Sequence, residues 1–240
     1  MDQQIILLLY FFLVITPPVI LATIFVRLDI FREPLRAIVL TLIISYAATS
    51  IFGEIKYGIL AIPNSWYEND IINSLFLIAL PEELTKFLVL YFYCARIRAF
   101  NEPMDGLVYG SLSGLGFAVN EAFGYAYTYQ TELSSTVEVI DSILLRGLIA
   151  VPGHAFDGII MGAFVGIMIF RNVNKYLYIF LAIFIPTVFH FLWDFSIFTG
   201  NGGYVYLIYF IQLIIVILLF RRFRKLQKSK IQEEELKINK

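Results

Sequence analysis

The sequence predicts an all-α polytopic membrane protein with about seven transmembrane helices and one interfacial or re-entrant helix. Of its 240 residues, 59% are hydrophobic and 17% are aromatic, and the mean hydropathy is +0.78. A soluble domain of this length could not bury that much apolar surface. Apolar runs of about 20 residues, the length that crosses a bilayer, also recur along the chain. The single cysteine, Cys94, excludes an internal disulfide.

Seven apolar segments are candidate spans. The first, beginning MDQQIILLLYFF, lacks a basic n-region and a small-residue cleavage site, which predicts an uncleaved span. The fifth is too long for one perpendicular helix, and Pro152-Gly153 divides it. We expect 139–151 to be interfacial or re-entrant and the span to run from 153 to about 170. The segments are 4–26, 36–55, 71–95, 104–127, 139–170, 176–198 and 203–220.

The basic residues predict the orientation. Loops rich in arginine and lysine alternate along the chain with loops that are poor in them, and the rich loops are expected in the cytoplasm. The pattern places the N-terminus outside and the C-terminus in the cytoplasm. We expect one integral-membrane domain, 1–220, followed by a charged, solvated and partly helical cytoplasmic tail, 221–240, that anchors the last span. The rich loops are 27–36, 96–103 and 171–175, and the poor ones are 56–70 (Lys56 only), 128–138 and 199–202.

Polar side chains inside four of the spans are expected to have a function, because placing an ionisable group there costs about 2.5–3.5 kcal/mol on insertion scales. At about 1.5 Å per residue, Glu82, Glu121 and His190 lie about 16, 9 and 12 Å from the outer ends of their spans. Similar depths predict that these groups share one layer in the outer half of the membrane. The set is Glu82, Glu83, Lys86, Asn120, Glu121, His154, Asp157, His190 and Asp194.

Helix periodicity brings these groups together. Glu82 and Lys86, like His190 and Asp194, are four residues apart, so each pair shares a helix face. Small residues at four-residue steps in the fourth and fifth spans predict a close helix contact, and prolines near the polar residues favour a hydrated cavity open to the outside. The glycines are Gly106, Gly110, Gly114, Gly158, Gly162 and Gly166, and the prolines are Pro81, Pro152 and Pro186.

The inventory of polar groups favours hydrolysis by an activated water. The chain has no G-x-S-x-G and no H-E-x-x-H motif. In one mechanism a buried glutamate is the general base and a histidine donates to the oxyanion. In the other, His154, His190 and a carboxylate bind a divalent metal such as Zn²⁺, and another glutamate is the base. Spacing does not decide between them, because the groups come from different helices.

Four motifs in order resemble those of the PrsW family of intramembrane proteases. PEELTK (81–86) resembles the E-E-x-x-K motif and GFAVNE (116–121) the second motif. RGLIAVPGHAFDGIIMG (146–162) resembles the third, and HFLWDF (190–195) the fourth. The motif-bearing core spans 71–198. This family is related in turn to CAAX-type prenyl endopeptidases.

The resemblance implies a protease of the bacterial or archaeal cytoplasmic membrane that cuts single-span membrane proteins, such as anti-sigma factors, near the outer face. Its partners would be that substrate and the lipid bilayer, without nucleic acid. Two positions depart from the family pattern: Ala122 stands where asparagine is expected, and Asp157 where a small or hydroxylated residue is usual.

The resemblance also implies a role for each residue of the polar set. Glu82 and Glu83 are the catalytic acidic pair, and Lys86 tethers them. Asp194 orients His190, while Asn120 and Asp157 support the site. The remaining members complete the water site, or bind the metal if one is used: Glu121, His154 and His190.

Three alternatives remain at this stage. The polar residues could be ion pairs that set helix register, although buried pairs contribute little stability. They could be the relay of an ion- or proton-coupled transporter, although no inverted repeat is visible and the groups form one layer. They could serve other hydrolase or transferase chemistry on prenyl or lipid substrates. The substrate and the oligomeric state are left open.

Overall fold

The computed structural model describes residues 3–55, 62–133 and 135–238, with side chains in 4–55, 62–133 and 135–233. This part of the chain is helical and contains no strand. A π-helix, Asn73–Ala79, leads into α5, and a 3₁₀ turn, Cys94–Arg96, follows it. The α-helices are α1 Gln3–Leu28, α2 Leu35–Glu54, α3 Asn64–Tyr67, α4 Asp70–Ile72, α5 Leu80–Phe92, α6 Pro103–Glu132, α7 Thr136–Leu148, α8 Ala150–Phe170, α9 Lys175–Phe198 and α10 Gly203–Ile238.

Helices α6 and α8 form the centre of the bundle and touch through their glycines. A β-carbon placed on Gly106 would lie 2.2 Å from the carbonyl oxygen of Gly162, and one on Gly110 would lie 2.1 Å from that of Gly158. No side chain fits at that distance, so glycine is required at these positions for the two backbones to approach this closely. The predicted close contact between the fourth and fifth spans is therefore confirmed.

The other helices surround this pair and carry apolar side chains on the outside of the bundle. Helices α1 and α2 pack against α6, and α9 and α10 pack against α8. Phe12, Phe180 and Phe210, on α1, α9 and α10, are each more than half exposed. Large aromatic side chains on an outer surface suit lipid and not water, as expected for a protein in a bilayer.

Among the described residues, five helical segments are long and apolar enough to cross a membrane, which makes this a multi-pass membrane protein. The predicted spans 71–95 and 104–127 are helical but are not among the five. The first contains three charged residues and the second is rich in glycine and serine. Much of α6 is surrounded by protein, so it needs little apolar surface. The five segments are Gln4–Leu28, Leu35–Glu54, Thr136–Phe170, Lys175–Phe198 and Gly203–Glu233.

The break in the predicted fifth span is real but lies earlier than expected. It falls at Ile149, between α7 and α8, and not at Pro152-Gly153. Pro152 occupies the first turn of α8, where its missing N–H would have had no helical partner in any case. The proline therefore marks the start of α8 instead of dividing a helix.

The tail also differs from expectation. Helix α10 runs without interruption to Ile238, and within the tail both Phe223 and Gln227 are buried. The first half of the tail is therefore packed on the bundle, not solvated throughout. Lys56, the single basic residue of its predicted outer loop, lies outside the described residues.

Candidate active site

A fully buried ion pair lies at the centre of the predicted site. The Lys86 ammonium is 2.6 Å from Oε1 of Glu83, and neither side chain is exposed. The four-residue spacing allowed Lys86 to pair with Glu82, but Lys86 pairs with Glu83, three residues earlier. Both spacings place side chains on the same helix face, and packing selects the second. Glu82, turned about 100° away on the helix, faces a cavity instead.

This ion pair anchors both histidines of the protein. Nδ1 of His190 is 2.7 Å from Oε1 of Glu83, so it donates to the carboxylate. Nδ1 of His154 is 3.0 Å from Nζ of Lys86. An ammonium only donates, so Nδ1 of His154 accepts and the proton of the neutral ring is on Nε2. That nitrogen donates to Oε2 of Glu121 at 2.7 Å.

A cavity of about 650 Å³ opens in front of the imidazoles. Oε2 of Glu82 and Oδ2 of Asp194 lie 3.6 Å and 3.4 Å from Nε2 of His190. We expected Asp194 to orient His190. The structure places Glu83 in that role at Nδ1, whereas Asp194 faces Nε2 from the cavity side. The four-residue spacing correctly predicted that Asp194 lies beside His190. Spacing alone does not determine which ring nitrogen the carboxylate faces.

The side chains at this cavity fit a divalent metal. Glu82, His154 and His190 offer three ligand atoms that lie within 4.8 Å of one another. Oε2 of Glu82 and Oδ2 of Asp194 are buried and have no hydrogen-bond partner among the described residues, so the site has lone pairs to offer. Two histidines and one carboxylate are a familiar zinc donor set. The predicted set contained Glu121 in place of Glu82.

Glu121 forms an ion pair with Arg146, a residue that was not predicted from the sequence. Nη2 of Arg146 lies 2.7 Å from Oε2 of Glu121, and its guanidinium stacks 3.6 Å from the ring centre of Tyr125. Nε of Arg146 is buried without a partner, and the residue lines the cavity. A lone arginine at the end of an apolar stretch, at the start of the third motif, was the signal that could have identified it.

The two residues predicted to support the site make different contacts. Oδ1 of Asp157 accepts a 2.7 Å hydrogen bond from Nε2 of Gln212 on α10, a partner that the sequence did not suggest. Asn120 donates to Oγ of Ser50 at 2.6 Å and to the carbonyl of Tyr46, so it joins α6 to α2. Both predicted residues also line the cavity.

A family model described as "PrsW family intramembrane metalloprotease" matches residues 32–220, a range that contains all four motifs. The chain belongs to the PrsW family. The resemblance predicted from the motifs is thus confirmed. The match supports the protease interpretation and gives no support to the transporter alternative. No solved structure matches the chain.

Several curated bacterial proteins named Protease PrsW are similar to the chain. The protein of Halalkalibacterium halodurans is 27% identical over 129 residues, which are 54% of this chain and 56% of that protein. The protein of Geobacillus kaustophilus is 33% identical over 116 residues, 48% of each. The protein of Oceanobacillus iheyensis is 30% identical over 167 residues, 70% of this chain and 73% of that protein. The chain spans about half the length of the first two relatives.

Proposed function

We propose that the chain is an intramembrane peptidase that hydrolyses peptide bonds of single-span membrane proteins. One observation carries the proposal: the buried Glu83–Lys86 pair holds Nδ1 of both histidines, and Glu82 stands beside them at a polar cavity. His190 is oriented as histidine ligands of catalytic metals are, by a carboxylate on the far ring nitrogen, whereas His154 is held by the Lys86 ammonium. Membership of the PrsW family and the names of the relatives support the peptidase activity.

Each side chain has a role in this proposal. Glu82, His154 and His190 would hold a divalent metal such as Zn²⁺, with the Nε2 proton of His154 released on binding, and the ion would supply Lewis-acid activation of the water and of the scissile carbonyl. Asp194, whose Oδ2 faces Nε2 of His190 but forms no hydrogen bond with any described residue, accepts the water proton as the oxygen attacks the carbonyl carbon. It returns that proton to the nitrogen as the C–N bond breaks. Arg146 keeps Glu121 charged and against His154.

The arrangement in the membrane is part of the same proposal. The chain crosses the bilayer seven times, with the N-terminus outside and the basic loops and tail in the cytoplasm, because positive residues remain inside. The cavity then opens toward the outer face, and the scissile bond lies near that face. A single-span regulator such as an anti-sigma factor is the proposed substrate class.

The test is cleavage in reconstituted membranes. The purified protein is combined with a panel of single-span peptides, and wild type is compared with Glu82→Gln and His190→Ala. We expect cleavage by wild type and a loss of at least about 100-fold in both variants, as for metal ligands and their partners. Glu68→Gln, an exposed residue, is the matched control and retains activity. Equal cleavage by all four proteins, or none by wild type on a broad panel, contradicts the proposal.

A further inference from the structure

A second cluster of carboxylates lies far from the cavity, near the start of α6. Asp29 follows α1, Glu33 precedes α2, and Glu102 and Asp105 stand at the start of α6. Asp105 is sixteen residues from Glu121 along the same helix, which corresponds to about 24 Å. The cluster is therefore separate from the candidate active site, and the proposed peptidase chemistry does not use it.

The cluster concentrates negative charge where little water reaches. Asp29, Glu33 and Asp105 each present an oxygen within 4.8 Å of the other two. Asp29 is 7% exposed and Asp105 1%. Within residues 4–55, 62–133 and 135–233, none of the three forms an ion pair with lysine or arginine. Burial raises the pKa of both Asp29 and Glu33, as expected for carboxylates without a counter-charge.

Neutral donors satisfy only some of these oxygens. Oδ1 of Asp29 accepts from Nε2 of Gln227 at 2.6 Å and from the amide of Phe31 at 2.9 Å. Tyr109 donates to Glu33. Oδ2 of Asp29, in contrast, is buried and has no hydrogen-bond partner in the part of the chain that the structure describes. Glu33 and Asp105 also share a side-chain hydrogen bond, and therefore one proton, but Oδ2 of Asp29 takes no part in it.

We propose that Asp29, Glu33 and Asp105 bind a hard divalent cation, Mg²⁺ or Ca²⁺. Carboxylate oxygens are the ligands that these ions prefer, and a cation supplies the charge that the cluster lacks. The ligands come from the loop between α1 and α2 and from the start of α6. Gln227 of α10 holds Asp29 from the other side. The bound ion therefore ties the α1–α2 loop to the start of α6, beside the Gln227 contact with α10, and stabilises this end of the bundle independently of peptidase activity.

The experiment measures the thermal unfolding midpoint, Tm, of the full chain in detergent with EDTA, with MgCl₂ and with CaCl₂. At about 100 times Kd, we expect the preferred ion to raise Tm by about 5–10 °C. The double variant Asp29→Asn/Glu33→Gln keeps the hydrogen-bond acceptors but removes two charges, so the rise is lost. Glu82→Gln, altered at the membrane cavity, retains the rise, which separates this site from the candidate active site.

Three outcomes overturn the proposal: no rise in wild type with either ion, an equal rise in the double variant, or loss of the rise in Glu82→Gln. In EDTA the double variant unfolds no lower than wild type, because it has lost like-charge repulsion. If it fails to fold, Mn²⁺ binding to Glu82→Gln, measured by electron paramagnetic resonance, replaces the comparison. Binding of one Mn²⁺ per chain that Mg²⁺ or Ca²⁺ displaces supports the site. Absence of Mn²⁺ binding overturns the proposal.

Discussion

The Glu83→Gln substitution tests whether the buried ion pair holds the site together. Glu83 is fully buried between the Lys86 ammonium and Nδ1 of His190, at 2.6 Å and 2.7 Å. Glutamine has the same shape but no charge, so the substitution leaves the ammonium in the bundle without its counter-ion. Removing one partner of a buried ion pair costs about 3–5 kcal/mol. For a protein of this length, that cost lowers Tm by about 6–20 °C.

The assay is thermal unfolding in detergent or bicelles, compared with the double variant Glu83→Gln/Lys86→Met. The double variant removes both charges, so it loses mainly the hydrogen bond from Lys86 to His154, which contributes about 1 kcal/mol. We therefore expect it to recover most of the loss in Tm. Glu68→Gln, which is exposed, is the control. A wild-type Tm for Glu83→Gln, or a double variant less stable than the single one, would refute the reasoning.

Three further predictions follow from the same contacts. Gly110→Ala places a methyl group 2.1 Å from the Gly158 carbonyl oxygen. The resulting overpacking costs about 1–3 kcal/mol and lowers Tm. Gly124→Ala is the control on the same helix: its β-carbon meets no described atom within 4 Å, so Tm is unchanged. Arg146→Gln releases Glu121 and lowers kcat/KM about 10–100-fold, and because the pair is only about one-fifth exposed the substitution also lowers Tm; unchanged kcat/KM would contradict this role. A chelator abolishes cleavage and Zn²⁺ restores it in wild type, whereas full activity after metal removal would favour a glutamate base.

Much of the candidate site was predictable because its residues are polar where apolar ones are the rule. Glu82, Glu121, His154 and His190 stood out against apolar spans, and the glycine spacing indicated which helices touch. The predictions went wrong where a choice among equivalent partners was required. Lys86 could have met either glutamate, and periodicity could not choose between them. Gln212 was missed because a single uncharged polar residue in an apolar helix gives a weak signal.

The sequence by itself determined the helical class, the membrane setting, the family and most of the polar residues of the candidate site. These follow from composition and from local spacing, which a helix imposes with little help from its surroundings. Only the tertiary structure decided that Glu82 faces the cavity while Glu83 lies behind the histidines. The reason is physical: adjacent residues point about 100° apart, and the rotation of α5 about its axis is set by packing against helices distant in the chain.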